Sequence, residues 1–296
     1  MKTAGRAFVL GGGGGRGALQ VGALRALLEA GLQPDMLVGT SIGAVNAAYL
    51  AVHSVSLSTL EALVGAWHDA AAANMLPSNY LWLTMRVLFN RVGRRPHHRM
   101  RDFFVAHGLP PELRFGDIEG VRLILVAADL NTGCAVLYGA DPQQSVLERL
   151  LASTALPPWV HPLEKDGQFL IDGGVVSMLP IEPALAQGAR EIIALDLADP
   201  RQAQTEAHGF GPFLGKLMNT IEQRQTEMEM ALAAARGVPV RRIALQGEQP
   251  VAIWDFSRTS ELIERGYAIA RREMAHWQPA RPSGWRAWLA RLGGRR

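Results

Sequence analysis

Short apolar segments alternate with helical patterns through the first fifty residues. Residues 7–10 are all apolar and run into glycines, which is typical of a buried central strand. Apolar residues then recur at helical spacing from Ala18, and Gly31 ends that helix. Residues 36–38 predict a second buried strand, and residues 42–52 a second helix rich in small side chains. This order predicts a parallel sheet with helices on both faces.

The same alternation continues along the chain. Further strands are predicted at residues 123–127, 135–138, 169–171 and 192–196. Further helices are predicted within residues 57–107 and at residues 147–155, 211–236 and 259–277. We therefore expect an α/β protein with a three-layer α/β/α arrangement and a mostly parallel central sheet. Its domain is predicted to span residues 1–278, with the principal motifs in residues 7–197.

Composition narrows the class of protein. A chain of 296 residues with 48% hydrophobic content can bury the core of one large α/β domain or two small ones. The only cysteine, Cys134, excludes an internal disulfide and suits a reducing compartment. It lies in an apolar run, so we expect a buried structural thiol.

No targeting segment is evident in the sequence. The apolar stretch at residues 7–10 is too short for a signal peptide, and polar and glycine residues dilute the uncharged stretch at residues 36–60. We expect a cytoplasmic protein without a signal peptide or transmembrane helix, with peripheral contact at the inner membrane face as a further option. Nothing in the sequence favours nucleic-acid binding.

Ser41 lies between a predicted strand and a predicted helix, with Gly39 and Gly43 on either side. Such a tight turn crowds its neighbours, so small residues are needed there, and it lifts the serine hydroxyl above the sheet. The hydroxyl also comes to a helix N-terminus, where developing negative charge is favoured. Ser41 is therefore the candidate nucleophile.

A glycine-rich loop after the first strand supports that role. Acyl transfer passes through an oxyanion that needs fixed N–H donors, and consecutive glycines let backbone N–H groups point into one cavity. Arg16 within the loop either adds positive charge or holds the loop by hydrogen bonds. The candidate oxyanion and substrate-binding residues are Gly12, Gly13, Gly14, Gly15, Arg16 and Gly17.

Asp172 is the candidate base for the serine proton. It ends a predicted strand, and Gly173 and Gly174 after it allow close approach to the serine turn. None of the eight histidines lies in a comparable strand-end position, and no pair has convincing metal-ligand spacing. Neither a metal nor a cofactor is expected.

Together, the three blocks resemble the patatin-like phospholipase family. The loop at residues 12–17 matches its G-G-G-x-R/K-G pattern, residues 39–43 its G-x-S-x-G and residues 172–174 its D-G-G block. Residues 152–157 resemble the segment that precedes the aspartate block. One departure lies at residues 175–178, where relatives often have asparagine before Leu-Pro, which puts some local hydrogen bonding in doubt.

The resemblance implies a patatin-like fold and a serine ester hydrolase of the phospholipase A, lysophospholipase or esterase kind. Phospholipids or related lipids would be cleaved at carboxylic ester bonds through a Ser41–Asp172 dyad and an acyl-enzyme. One alternative is a dinucleotide-binding protein using the glycine loop, although the second strand ends without the acidic residue that holds the ribose. The other is a non-catalytic relative that binds lipid or a partner protein.

Two further segments leave alternatives open. Apolar residues within 76–89 line an acyl pocket, form a lid or pack in the core. The basic tail at residues 279–296 places Trp285, Trp288 and Leu289 on one helical face. That pattern fits an interfacial helix on a membrane, a helix docked on the domain, or a frayed end.

Overall fold

The computed structural model describes residues 5–73, 95–157, 160–165, 167–197 and 210–277, with side chains in two helices described from His98 and Lys216 onwards. The predicted acyl pocket or lid within residues 76–89 and the predicted membrane-contacting tail at 279–296 lie outside these residues. Within the described ranges, no helix combines enough length and hydrophobicity to cross a bilayer.

Eight strands form one sheet in the described chain. They are β1 (Arg6–Leu10), β2 (Met36–Thr40), β3 (Arg122–Asp129), β4 (Cys134–Tyr138), β5 (Leu163–Lys165), β6 (Gln168–Asp172), β7 (Glu191–Asp196) and β8 (Val240–Ala244). The order is β5-β6-β3-β2-β1-β7-β8, with β4 also paired to β3. Strands β3, β2, β1, β7 and β8 run parallel, whereas β4, β5 and β6 join by antiparallel pairing. The prediction of a mostly parallel sheet is confirmed.

Helices cover both faces of this sheet. They are α1 (Ala18–Glu29), α2 (Ile42–Val52), α3 (Leu57–Ala72), α4 (Arg95–Ala106), α5 (Val146–Ser153), α6 (Ile181–Ala186), α7 (Phe210–Ala235) and α8 (Thr259–Ala275). Alternate residues of β1 point to opposite sides. Phe8 packs in a core with α1, α2, α3 and α8, and Val9 packs in a second core with α6 and α7. The three-layer prediction is therefore confirmed.

The pairing register brings two strand ends together on one edge of β3. Thr40, the last residue of β2, pairs with Val126, and Asp172, the last residue of β6, pairs with Ala127. Because β4 occupies the opposite edge over the same residues, β6 continues the edge that β2 uses. The carboxyl ends of β2 and β6 thus meet head to head, next to Ser41.

Cys134 is exposed, so the prediction of a buried thiol is wrong. It is the first residue of β4, directly after the turn that follows β3, and β4 pairs only with β3 among the described strands. An apolar run on such an edge strand is only partly covered, and its end is open to solvent.

Candidate active site

Ser41 occupies a strained turn between β2 and α2. Its φ of 55° and ψ of −125° lie in a region that non-glycine residues rarely adopt, and such strain is often concentrated at functional sites. A Cβ atom on Gly43 would lie 2.2 Å from the carbonyl oxygen of Leu10, and one on Gly39 would lie 2.5 Å from the carbonyl oxygen of Gly43. The two glycines predicted around the serine are therefore required by close backbone packing.

The carboxyl group of Asp172 is buried beside this turn. It accepts a hydrogen bond from the Gly174 N–H at 2.8 Å, and the neighbouring Ser41 hydroxyl also interacts with it. Burial raises the pKa of Asp172 to about 6, and the interactions with Ser41 and Gly174 oppose that rise only in part. The structure brings together the serine and the aspartate that were predicted as a pair. Because of its raised pKa, Asp172 can take up a proton closer to neutral pH than an ordinary aspartate can.

Residues at and just after the end of α5 form hydrogen bonds with both Ser41 and Asp172. Ser153, fully buried, accepts a hydrogen bond from the Ser41 N–H at 3.2 Å and donates its hydroxyl to the Val126 carbonyl at 2.6 Å. Two residues later, the Ala155 carbonyl accepts the Asp172 N–H at 2.9 Å. Ser153 was not predicted as a site residue, although it lies in the segment that resembles the family before the aspartate block.

The glycine loop lies against the serine turn. A Cβ atom on Gly12 would lie 3.1 Å from the Cβ of Ser41. The Gly12 N–H donates to the Met178 carbonyl at 2.9 Å, and the Gly15 N–H donates to the Ile253 carbonyl at 2.9 Å. Among the described residues, the N–H groups of Gly13 and Gly14 have no backbone acceptor.

Arg16 holds the loop rather than projecting into solvent. Its side chain is buried, and Nε donates to the Gly13 carbonyl at 3.2 Å. Because the carbonyl and N–H of one trans peptide point in opposite directions, this bond also fixes the direction of the Gly14 N–H. The loop-holding alternative for Arg16 is therefore supported by a direct contact.

A buried chain of polar side chains lies beneath the loop. Trp67 Nε1 donates to Asn46 Oδ1 at 3.0 Å, and Asn46 Nδ2 donates to Gln20 Oε1 at 3.0 Å and to the Gly17 carbonyl at 3.1 Å. Gln20 Nε2 in turn donates to the Gly11 carbonyl at 2.8 Å. Sequence reasoning missed these residues, since isolated polar positions on helices usually face water; the small, apolar surroundings of Asn46 were the available signal.

The turn after Asp172 joins the three motifs. The Ser177 N–H donates to the Gly173 carbonyl at 2.9 Å, and the Ser177 carbonyl accepts the Thr40 hydroxyl at 3.0 Å. The Ser177 hydroxyl donates to Glu229 on α7 at 2.6 Å. Residues 175–178 depart from the family pattern, and within them Ser177 thus has a hydrogen-bond partner of its own.

The titratable groups that would support other functions lie away from the serine turn. Asp35 directly precedes β2 and accepts the Arg6 N–H at 2.8 Å, so it lies at the opposite end of the strand from the position of a ribose-binding acid. His107 contacts Asp69 at 3.2 Å, away from the serine turn. Among the described residues, no group of three or more His, Cys, Asp or Glu side chains is placed to hold a metal ion.

Curated relatives are similar to this chain over about two thirds of its length. Patatin-like phospholipase domain-containing protein 7 of Mus musculus is 31% identical over 206 residues, which cover 69% of this chain and 14% of that protein. An NTE family protein of Mycobacterium tuberculosis is 28% identical over 212 residues, covering 71% of this chain and 33% of that protein. The chain thus matches only a minor part of the length of these relatives.

A solved structure and a family model complete the comparison. The crystal structure of VipD from Legionella pneumophila is similar over 92% of this chain and 67% of its own, with a TM-score of 0.47 and 14% identity. The model of the family described as patatin-like phospholipase matches residues 8–185, more than half of the 296 residues. The chain belongs to the patatin-like phospholipase family.

Proposed function

We propose that the protein hydrolyses carboxylic ester bonds of phospholipids or related lipids, with Ser41 as nucleophile and Asp172 as its base. The observation that carries the proposal is the close approach of the Ser41 hydroxyl, on its strained turn, to the buried Asp172 carboxyl group, with which it interacts. Membership of a phospholipase family supports lipid esters as the substrate class.

Each chemical step has a group available for it. The Ser41 Oγ attacks the ester carbonyl carbon while its proton passes to Asp172, and the C–O bond to the alcohol then breaks as Asp172 returns the proton to the alcohol oxygen. A water molecule next gives a proton to Asp172 and attacks the acyl carbon. The carboxylic acid leaves, and the proton returns to Ser41.

The oxyanion of both steps requires N–H donors. Of the loop residues predicted for this role, Gly13 and Gly14 are the best donors, because the N–H groups of Gly12 and Gly15 already bind backbone carbonyls. Arg16 then acts by holding the Gly13–Gly14 peptide. Losing one such donor typically costs about a hundred- to a thousand-fold in rate.

Labelling with a fluorophosphonate tests the nucleophile directly. We expect one adduct, mapped to Ser41 by mass spectrometry, together with hydrolysis of a phospholipid or lysophospholipid in mixed micelles. Ser41→Ala should remove the adduct and lower turnover by about a thousand-fold or more. Ser58→Ala, at an exposed serine on α3, is the matched control and should behave as wild type. An unlabelled, folded wild-type protein would favour the non-catalytic alternative.

Peripheral membrane contact through residues 279–296 is a separate proposal, based on sequence alone. This segment carries five arginines, two tryptophans and no acidic residue. Deleting it should weaken binding to vesicles that contain anionic lipid while leaving hydrolysis of a soluble ester unchanged. Equal vesicle binding with and without the segment would end this proposal.

A further inference from the structure

A second carboxylate, Glu229 of α7, lies close to the site but has no role in the proposed chemistry. It lies outside the residues matched by the family model. Oε1 accepts the Ser177 hydroxyl at 2.6 Å, and Oε2 accepts the Glu182 N–H at 2.7 Å. One side chain thus bridges both ends of the turn formed by residues 177–182.

That turn contacts each of the three motifs. Its Ser177 carbonyl accepts the hydroxyl of Thr40, the residue before Ser41, and its Ser177 N–H donates to the carbonyl of Gly173. Its Met178 carbonyl accepts the Gly12 N–H of the glycine loop. A shift of residues 177–178 would therefore be transmitted to the nucleophile, the base and the oxyanion donors together.

The neighbouring turn of α7 adds a second hydrogen bond. Gln225, four residues before Glu229 and so on the same side of the helix, donates Nε2 to the Val175 carbonyl at 2.8 Å. Helix α7 therefore holds residues 175–182 at several points. Burial also raises the pKa of Glu229, which its hydrogen bonds from Ser177 and Glu182 partly offset.

We propose that Glu229 is a positioning residue for the ester hydrolysis, holding the turn at residues 177–182 and, through it, the alignment of the glycine-loop donors with the Ser41 hydroxyl. The inference rests on the proposed function. Glu229 does not contact the reacting atoms, so its loss should lower kcat and leave KM nearly unchanged. Small misplacements of catalytic groups can cost on the order of a hundred-fold in rate.

A series of substitutions separates positioning from simple stabilisation. Glu229→Ala should lower kcat and the rate of fluorophosphonate labelling by about ten- to a hundred-fold. Glu229→Gln should recover most of both, because its amide oxygen can accept the Glu182 N–H while its NH2 group donates to the Ser177 oxygen. Glu227→Ala, on the same helix but exposed and paired with Arg224, is the matched control and should match wild type.

The melting temperature of each variant is measured alongside. If Glu229→Ala does not fold, Ser177→Ala, which removes one hydroxyl, decides the test with an expected loss of several-fold in kcat. Wild-type kcat in the folded Ala variants, or a raised KM at unchanged kcat, would overturn the inference. Failure of the proposed function is distinct, because the wild-type protein itself would then show no adduct at Ser41.

Discussion

Asp172 illustrates how burial sets the chemistry of one residue. A carboxyl group in water loses its proton near pH 4, but the Asp172 side chain is removed from solvent at the meeting point of β2 and β6. Interactions with Ser41 and Gly174 favour its ionised form, yet burial outweighs them, and its pKa rises to about 6. The sequence places an acid at a strand end, but it cannot give this balance, which depends on the packed surroundings.

The first prediction concerns the pH dependence of activity. In the proposed mechanism only ionised Asp172 can accept the serine proton, so kcat/KM for an uncharged ester should rise with pH, be half-maximal near pH 6, and level off above pH 7. Rates are measured from pH 4.5 to 8.5 under conditions where the protein stays folded. A profile that is flat down to pH 5 would contradict the raised pKa.

The second prediction concerns stability. Because the pKa of Asp172 is higher in the folded protein than in the unfolded chain, its contribution is fully present below about pH 4 and is lost as pH rises through about 6. Asp172→Asn avoids burying a charge and can still accept the Gly174 N–H. At pH 8 it should raise the free energy of unfolding by up to about 3 kcal/mol while abolishing hydrolysis.

Urea denaturation at two pH values checks this second prediction. The gain for Asp172→Asn should be larger at pH 8 than at pH 5, where the wild-type carboxyl group is mostly protonated in the folded state. An equal gain in the free energy of unfolding at pH 5 and at pH 8 would mean that changed packing, and not removal of the buried charge, stabilises the variant.

At the scale of elements, apolar periodicity located most of the sheet. Strands β1, β2 and β7 each contain an uninterrupted apolar run, because both of their faces are buried there. Strand β8 was not predicted. It carries Arg241 and Arg242 and lies at the end of the strand order, where its polar side chains pair with Glu191 and Asp196. The short β5 was missed for lack of an apolar run.

The third prediction tests the packing of the serine turn. Gly43→Ala would bring a methyl group within 2.2 Å of the Leu10 carbonyl, so α2 must move away from β1. We expect a loss of about 2 kcal/mol or more in the free energy of unfolding and a strong fall in activity. Gly65→Ala, in α3 with open space around the added methyl group, is the control and should stabilise the fold by about 0.5–1 kcal/mol.

Over the whole molecule, a close crossing of two helices connects the motif region with residues far along the chain. A Cβ atom on Gly22 of α1 would lie 1.8 Å from the Ile263 carbonyl of α8, and one on Gly266 of α8 would lie 1.9 Å from the Leu19 carbonyl of α1. Residues of both helices belong to one hydrophobic core. One domain over residues 1–278 stays a prediction, and this contact is the place to test it.

The fourth prediction follows from this crossing. Gly266→Ala should force α1 and α8 apart and lower the midpoint of the main unfolding transition, by several degrees relative to Gly65→Ala. Circular dichroism and labelling of Ser41 should report the same midpoint. If α8 unfolded separately and Ser41 labelling kept its wild-type midpoint, the single-domain prediction would be wrong.

The head-to-head meeting of β2 and β6 has a consequence for biosynthesis. In the proposed mechanism, the nucleophile Ser41 is made early, but its proton acceptor Asp172 arrives more than a hundred residues later, and both depend on β3 in between. A nascent chain that has left the ribosome only as far as α5 carries the serine without its aspartate. The proposal therefore predicts that the growing polypeptide does not hydrolyse lipid esters until β6 has joined the sheet, so that esterase activity begins only with the assembled fold.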